Sequence, residues 1–339
     1  MLKWLLRLMI AIDLVESLIA FYWPIKVIIA ALVAWYAVNN VRKRRKAERE
    51  KELVQVVGQW GQAARRFMND RMAIVGLIVL LIVIMASLSE VIFNHDGYMT
   101  LTGDYLVPPS WHHLFGTTQV GIDLFSAVMK GILVDIRVAV VVSIVTISVG
   151  TIMGAIAGYF GGKVDAVIMQ IINLFLIVPG LSILIVLSNQ LKTSSDTSLL
   201  LAVIVGLLGW TYVARLVRAE FLSLRTRDFV EAARALGAGR ARIIARHMLP
   251  NTMGPIVVNG TLTMAGSILL EATLSFLGLG IQPPEVSLGA LLQVGQDFAQ
   301  DAPWCFLFPA GILLILILSI FFVGDGLQSA LDPRKARAK

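Results

Sequence analysis

Residues 72–93 read MAIVGLIVLLIVIMASLSEVIF, an unbroken apolar run. About twenty such residues cross the roughly 30 Å hydrocarbon core of a bilayer as a helix. Further blocks of this kind fill 134–158, 164–188, 197–216, 256–278 and 304–323. Each is too long and too apolar for the core helix of a soluble domain. The whole chain agrees: 57% of its 339 residues are hydrophobic, 15% are charged and the mean hydropathy is +0.80. Ordinary soluble domains have about a quarter of their residues charged. The sequence therefore predicts an all-α, polytopic membrane protein.

The connections between these blocks separate by charge. The stretch 39–71 holds ten Lys and Arg, the Gly161-Gly162-Lys163 turn one, 217–252 seven, and the tail after Leu331 four. The alternate connections, 94–133, 189–196 and 279–303, hold only Lys130 and Lys192. Basic residues are retained on the cytoplasmic side during insertion. The net charge of +7 thus reports topology, and a nucleic-acid partner is not implied. The basic connections are therefore expected on the cytoplasmic side. Residues 18–38 form a further apolar block, interrupted by Pro24 and Lys26. They are expected to add a span, preceded by an interfacial helix over 2–17. The organisation expected is an N-terminal unit over 1–71, a membrane domain over 72–331 and a basic tail over 332–339.

One cytoplasmic connection carries an unusual segment, EAARALGAGRARIIARHMLPN at 231–251. Asp228 and Glu231 have capping-box spacing, so a helix is expected to begin near Asp228. The run from Glu231 to Leu236 favours helix, and Gly237 is a plausible stop in the left-handed conformation. A second helix is expected from Arg240 to Met248, ending before Pro250. By spacing alone, this could equally be a basic amphipathic loop resting on anionic lipid.

The same segment resembles the cytoplasmic "EAA" loop of ABC importer membrane subunits, through Glu231, Ala232, Ala233, Gly237, Leu249 and Pro250. Arg246-His-Met-Leu-Pro-Asn251 is similar to the variant in the peptide and nickel branch. The outer segment Pro109-Ser-Trp-His-His-Leu-Phe-Gly-Thr117, with Gly121, Asp123 and Ser126, resembles that branch too. So do Ala157-Gly-Tyr-Phe-Gly-Gly162 with Asp165, Leu274-Ser-Phe-Leu-Gly-Leu-Gly-Ile-Gln-Pro-Pro284, Pro303-Trp304, Gly324-Asp-Gly-Leu327 and Leu331-Asp-Pro-Arg334. The likeness runs in order from about 70 to 334. It points to the second, C-type permease subunit of an oligopeptide, dipeptide or nickel importer.

The resemblance implies a six-helix ABC type I importer core in the plasma membrane of a prokaryote, with the N-terminal block as an addition. It implies a homologous permease partner, two cytosolic ATPases below and a solute-binding protein above. Glu231, Ala232, Ala233, Arg234, Ala235, Leu236, Gly237, Ala238, Leu249 and Pro250 are then the coupling residues. Ala232 and Ala233 would allow close approach of the ATPase, and Gly237 would set the angle between two short helices. Arg234, Arg240, Arg242 and Arg246 could meet either acidic ATPase groups or lipid phosphates. Several positions depart from the branch's pattern: Thr118 and Ile122 replace an acid and an arginine, Gln170 and Asn173 an arginine and an aspartate, and Leu288 and Val323 a tryptophan and an asparagine. These changes remove charges near the pathway.

The chain itself carries no phosphate loop: around Gly162-Lys163, Ala157 and Val164 stand where glycine and a hydroxyl residue are required. ATP and Mg are therefore expected on partner subunits, with no cofactor and no metal on this chain. His112, His113 and His247 lack the converging ligands of a zinc site, and Cys305, the single cysteine, excludes an internal disulfide. No nucleophile–base arrangement is evident, so the chain is read as a non-enzymatic pore subunit. Asn173, Pro179 and Glu271 are candidate pathway residues. Pro179-Gly180 should break the third span, and Glu271 serves either the pathway or a hydrogen bond to a neighbouring helix. A self-sufficient secondary transporter or channel is the alternative; it calls for inverted repeats and paired intramembrane charges.

Overall fold

The computed structural model describes residues 59–93, 98–191 and 197–331. The expected interfacial helix at 2–17, the expected span at 18–38, most of the basic stretch and the tail at 332–339 lie outside them. Regular structure among the described residues is helical. In chain order it comprises α1 (Gln59–Phe67), α2 (Arg71–Phe93), α3 (Leu124–Phe160), α4 (Gly162–Ile177), α5 (Gly180–Leu191), α6 (Thr197–Leu224), α7 (Asp228–Ala235), α8 (Arg240–Phe276), α9 (Leu288–Asp297) and α10 (Trp304–Leu331). Five of these are long and apolar enough to cross a membrane, and α4 with α5 form a sixth, bent span.

The helices outrun the apolar blocks that announce them. With 37 residues, α3 is roughly 55 Å long at about 1.5 Å per residue, well beyond a bilayer core. Its first turns stand on the outer side, where Asp123 caps it by accepting from the Ser126 N–H at 3.0 Å. The N-cap at Ser287 likewise starts α9, a short helix between the last two spans, its hydroxyl accepting from the Ala290 N–H.

The most extensive seam joins α3 to α6. Gly150, Gly154 and Gly158 recur every fourth residue and so fall on one helix face. A Cβ on Gly150 would lie 2.6 Å from Val213 Cβ, on Gly154 2.5 Å from the Ala214 carbonyl oxygen, and on Gly158 2.5 Å from Phe221 Cβ. The backbones therefore approach as only small residues permit, a device of membrane helices that lack a hydrophobic force between them. Gly206 on α6 reciprocates against Val145, and Thr146 Oγ1 donates to the Gly206 carbonyl at 3.1 Å.

The third span breaks where proline requires. Val178 is extended (φ −83°, ψ 125°), as a residue before proline prefers. The chain then turns by 70° into α5, restarted by Ser182 and Ile183 N–H bonds to the Pro179 carbonyl. Above the spans, the outer connection is packed down by Phe115, stacked on Phe308 with ring centroids 4.2 Å apart. Trp304 Nε1 donates to the Thr117 carbonyl at 3.4 Å.

Candidate coupling segment and membrane cavity

At its cytoplasmic end α6 delivers the chain directly into α7. The first turn of α7 carries Asp228 and Glu231, favourable charges at a helix N-terminus. The expected capping box is absent: Arg227 is the extended residue before the helix, and no side chain caps it. Asp228 is already inside the helix, one position too late to serve as the cap.

One face of α7 is fixed inward. Val230 and Ala233 are buried with Val217 and Phe221 of α6 and with Ile243 and Met248 of α8. Ala233 is thus occupied by its own chain, and close approach by another protein is available at Ala232. Glu231, Ala232, Arg234, Ala235, Leu236 and Gly237 are exposed. Leu236, 88% exposed, forms an apolar tip amid charged neighbours.

Gly237 ends α7 with φ +77°. The Ala238 N–H reaches the Ala233 carbonyl and the Gly237 N–H that of Arg234, both at 3.0 Å, the paired bonds of a Schellman motif. Added side-chain atoms would meet nothing within 4 Å, so the requirement for glycine is conformational rather than steric.

The expected stop before Pro250 does not occur. The helix from Arg240 continues through Pro250 to Phe276 because Ile243–Met248 widens into a π-helical turn. Proline lacks an N–H and crowds the carbonyl four residues back; the wider turn accommodates it, with the Leu249 N–H bonded to the Ile244 carbonyl. Leu249 packs against the buried cluster beneath α7, whereas Pro250 is exposed. The segment is consequently packed against α6 on one side and continuous with α8 on the other. Arg240 also lies over the Phe160 ring at 5.9 Å, and Arg225 Nη1 donates to the Tyr159 carbonyl at 3.4 Å.

Two further arginines connect α6 to the broken span. Arg218 holds Asp165 through both Nε and Nη2, the latter 2.5 Å from Oδ2. Arg215 Nη2 donates to Asn173 Oδ1 at 2.8 Å. Above them opens a cavity of about 350 Å³, lined by α3, α5, α6 and α8. Its walls are mainly apolar, with Thr146, Tyr212, Thr263 and Ser267 as polar contributors.

The candidate pathway residues fall in different places. Pro179 immediately precedes Gly180, which lines the cavity. Asn173 is exposed below the break. Glu271 lies off the cavity wall, 1% exposed, accepting from Ser275 Oγ at 2.6 Å beside Asp135. Ser287 Oγ and Ser275 Oγ are 3.2 Å apart, and the Leu288 N–H reaches Asp135 Oδ2 at 3.3 Å. This polar knot ties α3, α8 and α9 together. Nearby, Arg137 bonds Ser198 and Glu285. His113 Nδ1 sits 2.8 Å from Asp123 Oδ2 and organises the outer connection. The Gly150-x-x-x-Gly154-x-x-x-Gly158 repeat was readable in the sequence as a packing face. The partners of Asp135, Arg137 and Arg218 lie tens of residues away in the chain and carry no local signal.

Residues 150–337 match the family of binding-protein-dependent transport system inner membrane components. The chain belongs to that family. As a member, it is a multi-pass inner-membrane permease subunit of a transport system. Residues 58–109 match the N-terminal transmembrane domain of oligopeptide transport permease C. Among its relatives, the Mycobacterium tuberculosis oligopeptide transport system permease protein OppC is 37% identical over 270 residues, covering 79% of this chain and 92% of the relative. A putative peptide permease protein of Brucella suis is 38% identical over 284 residues, with coverage of 82% and 92%. The Bacillus subtilis OppC is 36% identical over 278 residues, with coverage of 81% and 90%. A solved structure titled as an inward facing conformation of the MetNI methionine ABC transporter aligns with TM-score 0.48 at 23% identity, over 60% of this chain and 96% of that one.

Proposed function

We propose that this permease carries peptides inward, delivered by an extracytoplasmic binding protein and driven by ATP hydrolysis on two partner ATPases. A homologous permease subunit would supply the other half of the pathway. The observation that carries the reading is the exposed face of α7, from Glu231 to Gly237, packed between α6 and α8, two of the four helices that line the cavity. A force applied at Leu236 passes through the buried Val230–Ala233 face into α6 and α8 together. Peptides are favoured as cargo by the names of the relatives. The chain binds no cofactor in this reading; ATP and Mg stay with the ATPases.

The test is gentle solubilisation of the intact complex followed by peptide uptake in proteoliposomes. ATPase chains should co-purify, and Gly237→Pro or Glu231→Arg should weaken their docking and stop uptake while membrane insertion stays normal. A complex without an ATPase chain, or undiminished uptake in both variants, contradicts the proposal.

A further inference from the structure

We propose that Arg215 recognises the carboxylate of the transported solute at the cytoplasmic mouth of the cavity; the inference rests on the peptide-importer reading above. Leu208, Gly209, Tyr212 and Val213 present α6 to the cavity. Arg215 lies three residues beyond Tyr212 and seven beyond Leu208, on the same helical stripe. Tyr212 is 68% exposed, and Arg215 is exposed as well. The stripe therefore continues open from the cavity toward the cytoplasm and ends in a cation.

That cation differs from its neighbour in partner. Arg218, one turn further on, is neutralised by Asp165. The bond that Arg215 makes is to the uncharged amide oxygen of Asn173, and among the described residues no carboxylate lies within salt-bridge distance. The amide orients the guanidinium without cancelling its charge and leaves most of its N–H donors free. Arg215 precedes the end of α6 at Leu224 by nine residues, roughly 13 Å at about 1.5 Å per residue. Arg215 is also the penultimate residue of the apolar block 197–216, at the cytoplasmic edge of the span, where a long basic side chain reaches water or an anion. The planar guanidinium fork matches a carboxylate in two-pronged geometry.

The cavity's other lining suits this division of labour. Val142, Leu184, Val205, Leu208 and Leu270 offer contacts that do not discriminate strongly between apolar side chains. Every unmodified peptide, whatever its sequence, ends in a carboxylate. A single fixed cation thus recognises the class while the apolar wall tolerates its variety.

The test uses the whole importer in proteoliposomes, with ATP and its own binding protein. A pool of tri- to pentapeptides is supplied as free acids or as C-terminal amides, and the ratio of uptake rates is read. Any preference of the binding protein is common to all variants and cancels between them. Loss of one charge-assisted pair should lower the acid-to-amide ratio about tenfold in Arg215→Gln. Arg215→Lys should keep part of it. Asn173→Asp changes no side-chain size yet supplies a carboxylate that occupies Arg215, and it should match Arg215→Gln. Should Arg215→Gln fail to assemble, Asn173→Asp decides alone. An unchanged ratio in an assembled variant overturns the role of Arg215 and leaves the peptide reading standing. Uptake of neither form by the unaltered complex contradicts the peptide reading and, with it, this inference.

Discussion

Arg218 on α6 grips both carboxylate oxygens of Asp165 at the foot of the broken span. The pair is largely shielded, with side chains 29% and 16% exposed, and it joins the helix leading to α7 with the helix that bends beside the cavity. Removing one partner of a shielded pair leaves the other charge uncompensated, which is costlier than losing the pair outright. Asp165→Asn or Arg218→Gln should therefore lower ATP-driven uptake about tenfold or more. The double exchange, Asp165→Arg with Arg218→Asp, should recover a measurable part. Normal uptake in both single variants, or impaired single variants that the double exchange does not recover, would remove the pair from the coupling route.

Gly237 makes a second, more graded prediction. Its φ of +77° costs an ordinary residue about 1–2 kcal/mol, while no neighbour stands within 4 Å of an added Cβ. Gly237→Asn should be nearly silent in uptake, Gly237→Ala mildly impaired and Gly237→Val worse. Equal impairment by asparagine and valine would indicate a steric requirement instead.

The glycine seam predicts a structural failure. Gly154→Val forces side-chain atoms onto the Ala214 backbone, 2.5 Å from the first added carbon. Detergent-extracted protein should lose its melting transition or its thermal midpoint should fall steeply. Gly311→Ala, with open space around it, is the matched control and should melt as the unaltered chain does.

Asp135 and Glu271 predict the reverse. The two carboxyls face each other, and Oδ1 of the first and Oε2 of the second are buried with no N–H donor from another residue. Asp135→Asn or Glu271→Gln introduces an N–H where one is lacking, so either should leave the melting temperature unchanged or raise it. Asp135→Ala abandons the Leu288 N–H and should cost about 1–3 kcal/mol. A large loss in both amide variants would show that the charge itself is required there.

Much of this architecture is written locally. Twenty-residue apolar runs announce the spans, Pro179 announces the bend, and Gly237 announces the end of α7, because hydrophobicity, a missing N–H and a left-handed φ each belong to single residues. Pro250 misled because proline's helix-breaking effect is local, whereas the π turn that absorbs it depends on Ile243 and Met248 being held in a buried cluster with α6 and α7. Ala233 was expected at a partner's surface, but only the packing of α7 on Phe221 decides which of two adjacent alanines faces in. The cavity and the contrast between Arg215 and Arg218 arise where α4 meets α6, a juxtaposition that no sequence window contains.

The most direct measurement of the coupling claim is a site-specific crosslink from the apolar tip of α7. Leu236→Cys places a reactive thiol at a position 88% exposed, while the native Cys305 is 4% exposed and shielded. In the intact membrane complex, a short photoreactive crosslinker attached to the position 236 thiol should join it to an ATPase chain, with a yield that changes when ATP is bound. A crosslink only to lipid or to the permease partner, unaffected by nucleotide, would contradict the account.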